Sequence, residues 1–387
     1  VSVAELDLGN NTIEILQNGK QPQKGQFSPD AIALIDFNFN VENLELSKGE
    51  RLNFNLNNFQ FKDKSGLDLN AFEFKTKLNN KGLTLDDLHL KVNNSLLFAD
   101  LKLDYKTLQD FIESPESAQL NVNVSEVKID LKDAFLFSPE LRQNPNFKAL
   151  TKHQFTGDFN LAGNLNELQV PKFDLKWGKN TSFTFNGNLS QVTDVDKIGV
   201  DLKNYRFKSS KVDISKFISE DELSISIPKS VVLQGNFQKQ AERFSTQSKL
   251  QIPEGSINLE GNFSNTNTIE YDLNLKVNAL KLGDILQNPD IGQLSMTLKS
   301  NAKGNALDEL SAQLTTQIDS IRYGNYTFSK MALNGNIDKG QGDLKFDYED
   351  DNLKFNLLSK INLDESTSHI DTEIDLQGIR PRELGLS

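Results

Sequence analysis

Apolar and polar residues alternate one by one along most of this 387-residue chain. Ile35, Phe37, Phe39 and Val41 are interleaved with Asp36, Asn38 and Asn40, and Leu52, Phe54 and Leu56 with Asn53 and Asn55. Phe72, Phe74 and Leu78 continue the pattern, as do Leu88, Leu90 and Val92, and then Leu97, Ala99, Leu101, Leu103 and Tyr105. Leu120, Val122 and Val124 precede Val127, Ile129 and Leu131, with a phase slip at Ser125-Glu126. Later runs are Tyr271 to Val277, Leu294 to Leu298, and Leu353 to Leu363. Strand side chains point alternately to the two faces of a sheet. The pattern therefore predicts an all-β chain of about two dozen half-buried strands.

Six strands share a further phrase, an apolar run ending in Gly-Asn. The glycines are Gly163, Gly187, Gly235, Gly261, Gly304 and Gly335, each on the apolar parity of its strand. A glycine there deletes a side chain from the buried face near a strand end. The expected role is a bend or bulge that curls the sheet toward its apolar side. The spacings of 24, 48, 26, 43 and 31 residues are looser than a strict β-helix keeps. Helical signals are short: 107–113, 132–137, 214–218 and 283–286. No linker, charge block or proline cluster divides the chain, so 1–387 reads as one elongated repetitive segment, a taco-like groove or β-solenoid. At ~4.8 Å per strand, two dozen strands stack into a rod on the order of 115 Å. The opening Val1-Ser2-Val3 already alternates and lacks an initiator Met. The chain reads as an interior piece of something longer, with any membrane anchor outside it.

Composition narrows the function. Phe numbers 26 against 6 Tyr and 1 Trp. A Phe-rich face has no polar ring atom to satisfy and suits contact with hydrocarbon, although Phe is also an ordinary strand and core residue. Net charge is −12, without the basic footprint that nucleic acid selects. With no cysteine, a thiolate nucleophile, disulfides and Cys-based metal sites are excluded. No apolar run approaches the ~18 residues of a membrane span.

Catalytic constellations do not stand out. His89, His153 and His369 are far apart in the sequence, and His89 and His369 take the polar parity of solvent-facing strand residues. No base lies beside a nucleophile, and no phosphate loop or dinucleotide fingerprint is present. Asp347, Glu349, Asp350 and Asp351 form the densest acidic group, but lack calcium-loop spacing and read as a solvated turn. The chain is expected to be no enzyme and to hold no cofactor or metal.

The strand-Gly-Asn phrases resemble the large subunit of the translocation and assembly module (TamB), within the AsmA-like group. So do the run from Leu131 through Phe135 to Leu141, the passage from Leu83 to Leu101 through Asn93-Asn94-Ser95, and Tyr323-Gly324-Asn325-Tyr326-Thr327-Phe328. The resemblance covers essentially the whole chain. It implies a long apolar groove that carries phospholipids across the periplasm of a diderm bacterium, supporting outer-membrane biogenesis. It also implies an inner-membrane anchor and an Omp85-type outer-membrane barrel as partner, both through parts outside this chain.

On this reading the inward residues form a lipid-contacting lining. The candidates are Phe37, Phe39, Val41, Phe54, Leu56, Phe72, Phe74, Leu101, Leu103, Val122, Phe159, Leu161, Phe183 and Phe185. Leu233, Leu259, Leu273, Leu275, Met296, Leu298, Leu333, Phe355 and Leu357 complete the set. Each can equally be ordinary core. Burying a ~16-carbon acyl chain contributes roughly 12 kcal/mol at ~0.8 per CH₂, so a continuous apolar lining would remove the barrier to moving a lipid through water. Two alternatives remain. One is a self-packed structural rod; the other is a periplasmic chaperone for outer-membrane β-barrel proteins that accepts strands at unpaired sheet edges.

Overall fold

The computed structural model describes residues 1–17, 19–47 and 51–384. The chain is all-β; the described residues form twenty-one strands with only short helical segments between them. Contacts cluster into two compact units, Val1–Ile198 and Gly199–Ser387.

The first unit holds β1 (Ser2–Leu16), β2 (Ala31–Ser47), β3 (Arg51–Asp63), β4 (Asp68–Asn79) and β5 (Gly82–Val92), followed by β6 (Ser95–Asp104), β7 (Gln119–Ile129), β8 (Phe155–Asn164), β9 (Glu167–Trp177) and β10 (Thr181–Ser190). Each strand pairs antiparallel with the next. The second unit holds β11 (Gly199–Ser210), β12 (Ser230–Gln240), β13 (Arg243–Ile252), β14 (Gly255–Asn265), β15 (Ile269–Lys281) and β16 (Ile291–Lys303), followed by β17 (Ser311–Tyr323), β18 (Tyr326–Asp338), β19 (Gln341–Glu349), β20 (Leu353–Asn362) and β21 (His369–Ile379). It is the same antiparallel meander. Among the described residues β1 pairs with β2, and β21 with β20.

Tight turns make this serial pairing possible. At Lys339-Gly340 both residues have positive φ, +49° and +76°. This is the primed turn whose twist matches the flanking strands. The helical segments sit between strands, and Thr107 caps Leu108–Glu113 through the backbone N–H of Asp110. The segment at 132–137 is a 3-10 helix, Leu131–Leu136, and the one at 283–286 is Leu282–Leu286. The turn expected at 214–218 lies earlier, at Lys211–Ile214. Helical segments Pro139–Gln143 and Pro145–Leu150 have no counterpart in the sequence reading; each starts on a proline, which suits the first helical turn.

The strands bend at bulges, and most of these do not use glycine. Asn10, Asp36, Asn43, Asp87, Asn204 and Ala279 all have φ between +49° and +56° inside strands. Pairing registers shift at each of them. Several are held by a side chain on the neighbouring strand. Asn10 N–H donates to Asn38 Oδ1 at 2.9 Å, and Asp87 N–H to Asp100 Oδ1 at 3.0 Å. Asn204 N–H donates to Asn236 Oδ1 at 3.1 Å, and Ala279 N–H to Ser295 Oγ at 3.0 Å. A left-handed residue frees its N–H from the ladder, and an Asn, Asp or Ser across the strand boundary accepts it. The phase slip read at Ser125-Glu126 is likewise a register shift between Val124 and Val127.

Among the motif glycines, Gly187 adjoins a register shift on its own strand. Gly235 lies opposite the shift in β11. Gly261 and Gly335 pair without irregularity, and Gly304 lies just past the end of β16. Gly163 has φ +116°, and a Cβ there would stand 2.3 Å from the Glu167 carbonyl, so only glycine fits.

Loss of one bulge clamp has a defined cost. Asn236→Ala leaves the Asn204 N–H to water and is expected to destabilise the second unit by about 0.5–1 kcal/mol. The check is the urea midpoint, and an unchanged midpoint would mean that the clamp carries no stability.

Candidate functional site

Residues directly opposed in an antiparallel pair share a face, so the pairing registers trace the apolar side of each unit. In the first unit Leu85, Leu101, Val122 and Leu161 form one row across four strands. Phe54 joins it through Thr76. A second row runs Leu88, Ala99, Val124, Phe159, Phe173 and Phe185. A third runs Leu83, Leu103, Leu120, Gly163, Leu168 and Leu189. Phe183 opposes Leu175, Val41 opposes Leu56, and Leu56 opposes Phe74.

Rings thicken this face at both ends of the unit. Phe59 lies 5.7 Å from Phe37, 6.0 Å from Phe39 and 6.3 Å from Phe72, and Phe74 lies 5.7 Å from Phe54. Phe173 stands 5.9 Å from Phe159 and 4.7 Å from Phe185. Phe59, Phe61 and Phe173 belong to the face but were absent from the sequence reading. Asn57-Asn58 and the register shift between Phe185 and Gly187 break the simple parity that would have placed them.

In the second unit Leu233, Leu250, Ile257, Val277, Met296, Ile318 and Met331 form one row. Leu259, Leu275, Leu298, Thr316, Leu333, Phe346, Leu357 and Ile374 form another. Leu273 lies in a row that alternates large and small: Gly261, Leu273, Ser300, Leu314, Gly335, Leu344 and Ser359. Phe355 packs 5.3 Å from Phe346 and 6.0 Å from Tyr348. The register thus brings the sequence-selected residues of each unit to one side of its sheet.

This side is incompletely covered. Of the 23 candidate lining residues only Val41 and Leu56 are buried, at 5% exposure each; the others are half-buried. Among the described residues Ala99, Val124 and Val127 form a small buried apolar cluster, with Val122 and Phe159 packed against it. The accessible surface is 23382 Å². Two separate compact globules of half this mass would expose about 18,500 Å² in total. The chain thus exposes more surface than compact globules of that mass.

The two units differ in lining chemistry. Residues 1–198 contain 18 Phe and 1 Tyr; residues 199–387 contain 8 Phe and 5 Tyr. In the second unit hydroxyls interrupt the apolar face. Thr246 Oγ1 donates to the Asn236 carbonyl at 3.0 Å. Ser248 Oγ lies 2.5 Å from Thr246 Oγ1 and 2.6 Å from the Tyr205 hydroxyl. Because the Thr246 proton is committed to a carbonyl, Ser248 donates to Thr246 and Tyr205 donates to Ser248. The chain is internally satisfied, as buried polar groups must be.

Polar residues at the ends of the face are also accounted for. His89 takes the polar side as expected, yet it is half-buried, stacked 4.5 Å on Phe98 with Nδ1 3.2 Å from Glu73 Oε2. His153 stands edge-on to Trp177 at 4.9 Å. His369 is exposed. Asp350, expected as a solvated turn, instead organises one. It accepts hydrogen bonds from the hydroxyls of Tyr326 and Tyr348 and from the backbone N–H groups of Asn352 and Leu353, the latter two at 2.8 and 2.7 Å. Burial alone would push the carboxyl up; the four donors outweigh it and hold the group down at about 2. Tyr348 is pushed up by burial and by the facing carboxylate.

Comparison with protein-family models, curated proteins and solved structures finds no match to this chain.

The Asp350 network fixes a pH dependence. Its folded value lies below the unfolded value of about 3.9, so the network stabilises fully above that value and loses this as pH falls toward 2. The difference in urea midpoint between the native chain and Asp350→Asn is expected to shrink from pH 5 to pH 2. A difference that stays constant would contradict the assignment.

Proposed function

We propose that each unit uses its apolar face to hold the hydrocarbon of phospholipids, and that the protein carries such lipids between membranes rather than catalysing a reaction. The observation that carries this reading is the half-exposure of contiguous rows of Leu and Phe, from Leu85 to Leu161 and from Leu259 to Ile374. Exposed apolar area costs about 25 cal/mol per Å². Monomeric soluble proteins rarely show contiguous patches of this extent without a partner for them. Hydrocarbon satisfies such a face without direction or stoichiometry. A chain sliding along it exchanges one apolar contact for another, with no energy source required.

Placement in a diderm periplasm, between an inner-membrane anchor and an outer-membrane barrel, rests on the resemblance to the TamB group alone. The self-packed rod receives less support, because its interior side chains would be buried.

The direct test is lipid extraction and mass spectrometry on chain purified without detergent after exposure to membranes. Several phospholipids per chain are expected. Phe185→Asp puts a charge beside Phe173 and Phe183 and is expected to lower the load at least severalfold while leaving the far-ultraviolet spectrum unchanged. Folded, lipid-free native chain would overturn the proposal.

A further inference from the structure

The polar face of the second unit carries a row with an order of its own. Arg206, Gln234, Lys249, Asn258, Lys276 and Thr297 oppose one another in turn from β11 to β16, so they share one face. It is the face turned away from the apolar row Phe207, Leu233, Leu250, Ile257, Val277 and Met296, because each polar residue is the immediate sequence neighbour of its apolar counterpart. A cation stands on every second strand, and an amide or hydroxyl on each strand between. No acid interrupts the row. At ~4.8 Å per strand, the positive charges recur every ~9.6 Å.

These cations are not neutralised within the chain. On the polar face of the first unit, Lys62 is paired with Asp36 at 2.9 Å, Lys75 with Asp87 at 2.7 Å and Lys102 with Asp104 at 2.7 Å. At the ends of β15 and β16, Lys303 is paired with Glu270 at 2.6 Å. Arg206, Lys249 and Lys276 have no acidic partner among the described residues, and Arg206 Nη1 donates instead to Gln234 Oε1 at 2.6 Å. The row lines a cavity of about 900 Å³. Among the described residues its wall holds a fourth cation, Lys299, and one acid, Glu260, which accepts from Gln247 Nε2 at 2.9 Å. Four cations against one acid leave a local charge of +3 in a chain of net charge −12.

We propose that this row binds a linear acidic polysaccharide with one carboxylate per disaccharide. A sugar ring in an extended glycan advances by about one strand spacing, so every second ring meets every second strand. Its carboxylates face Arg206, Lys249 and Lys276 in register. Its ring hydroxyls face Gln234, Asn258 and Thr297, whose amides and hydroxyl both donate and accept. Other anions match the spacing less well. An extended peptide repeats the side chains of one face every ~6.8 Å, and duplex nucleic acid carries one charge per ~1.7 Å of its axis. A bilayer surface has no fixed spacing to match. The site lies on the opposite face from the one proposed to hold lipid and does not depend on that reading.

The test is calorimetric titration of the full chain with hyaluronan oligosaccharides, which carry one carboxylate per disaccharide. Saturable binding that weakens as salt rises is expected, with little binding of uncharged chitin oligosaccharides of equal length. Lys249→Gln and Lys276→Gln are each expected to weaken binding about fivefold, the effect of one surface ion pair. Lys303→Gln, outside the row, removes the same charge and is expected to leave binding unchanged. Combining Lys276→Gln with Thr297→Lys moves one charge by a single strand at constant net charge. This double variant is expected to bind no better than Lys276→Gln alone. Full recovery of binding in it would reduce the row to unspecific attraction and overturn the proposal. Native chain that shows no saturable binding would overturn it too. Phosphatidylglycerol vesicles that displace hyaluronan and lose their own binding in the Lys249 and Lys276 variants would make an anionic membrane surface the occupant and overturn the polysaccharide.

Discussion

Everything in this molecule depends on the two-residue period of the extended chain combined with strictly serial pairing. A strand that pairs only with its sequence neighbours can keep its apolar side in line across a whole unit if each register is right. A slip of one residue would turn that side to water. The rows from Leu85 to Leu161 and from Leu233 to Met331 show the outcome. Several register changes fall at bulges where a left-handed Asn, Asp or Ala absorbs one residue, and at Asn10, Asp87, Asn204 and Ala279 a polar side chain on the next strand takes the freed N–H. Curvature and facing are thus set by the same small device. The Asn of a Gly-Asn phrase serves in it at Asn236, as acceptor for Asn204.

Serial pairing leaves one face unpaired by any second layer. An ordinary sandwich buries that face against another sheet. Here Ala99, Val124 and Val127 form a small buried cluster, and rings such as Phe159, Phe173 and Phe185 stay half-exposed. Backbone ladders, ring-to-ring contacts such as Phe173–Phe185 and satisfied hydroxyl chains such as Tyr205–Ser248–Thr246 supply what cohesion the sheet has without a second layer. A ligand that covers the face would add stability by mass action. The two units would present different surfaces to it, one of nearly pure Phe, Leu and Val and one studded with phenols and hydroxyls.

Much of this was legible in the sequence because period-two alternation is a strong signal when one face is apolar. Val122, Leu161, Met296 and Leu357 could be placed on the apolar side without coordinates. Phe59 and Phe173 could not, because each follows an irregularity that shifts parity, and alternation carries no information across such a break. The motif glycines were visible, but their roles were not. Gly163 serves backbone conformation, Gly335 makes room for Leu344, and Gly261 leaves a notch, a distinction that only the surrounding atoms make. The bulges at Asp36, Asp87 and Ala279 were hidden for the opposite reason, since nothing in a lone Asp or Ala announces positive φ.

The central claim is that the apolar face is open and meets hydrocarbon. Carbene footprinting of the purified chain, with and without phospholipid supplied from vesicles, tests it most directly. The account predicts strong labelling of Phe159, Phe173 and Phe185 and of Leu275, Leu298 and Leu333 in the lipid-free chain, and protection of these residues once lipid is bound. Weak labelling in both states, with the label confined to polar-face residues such as Lys172 and Lys299, would show a face packed on itself and would contradict it.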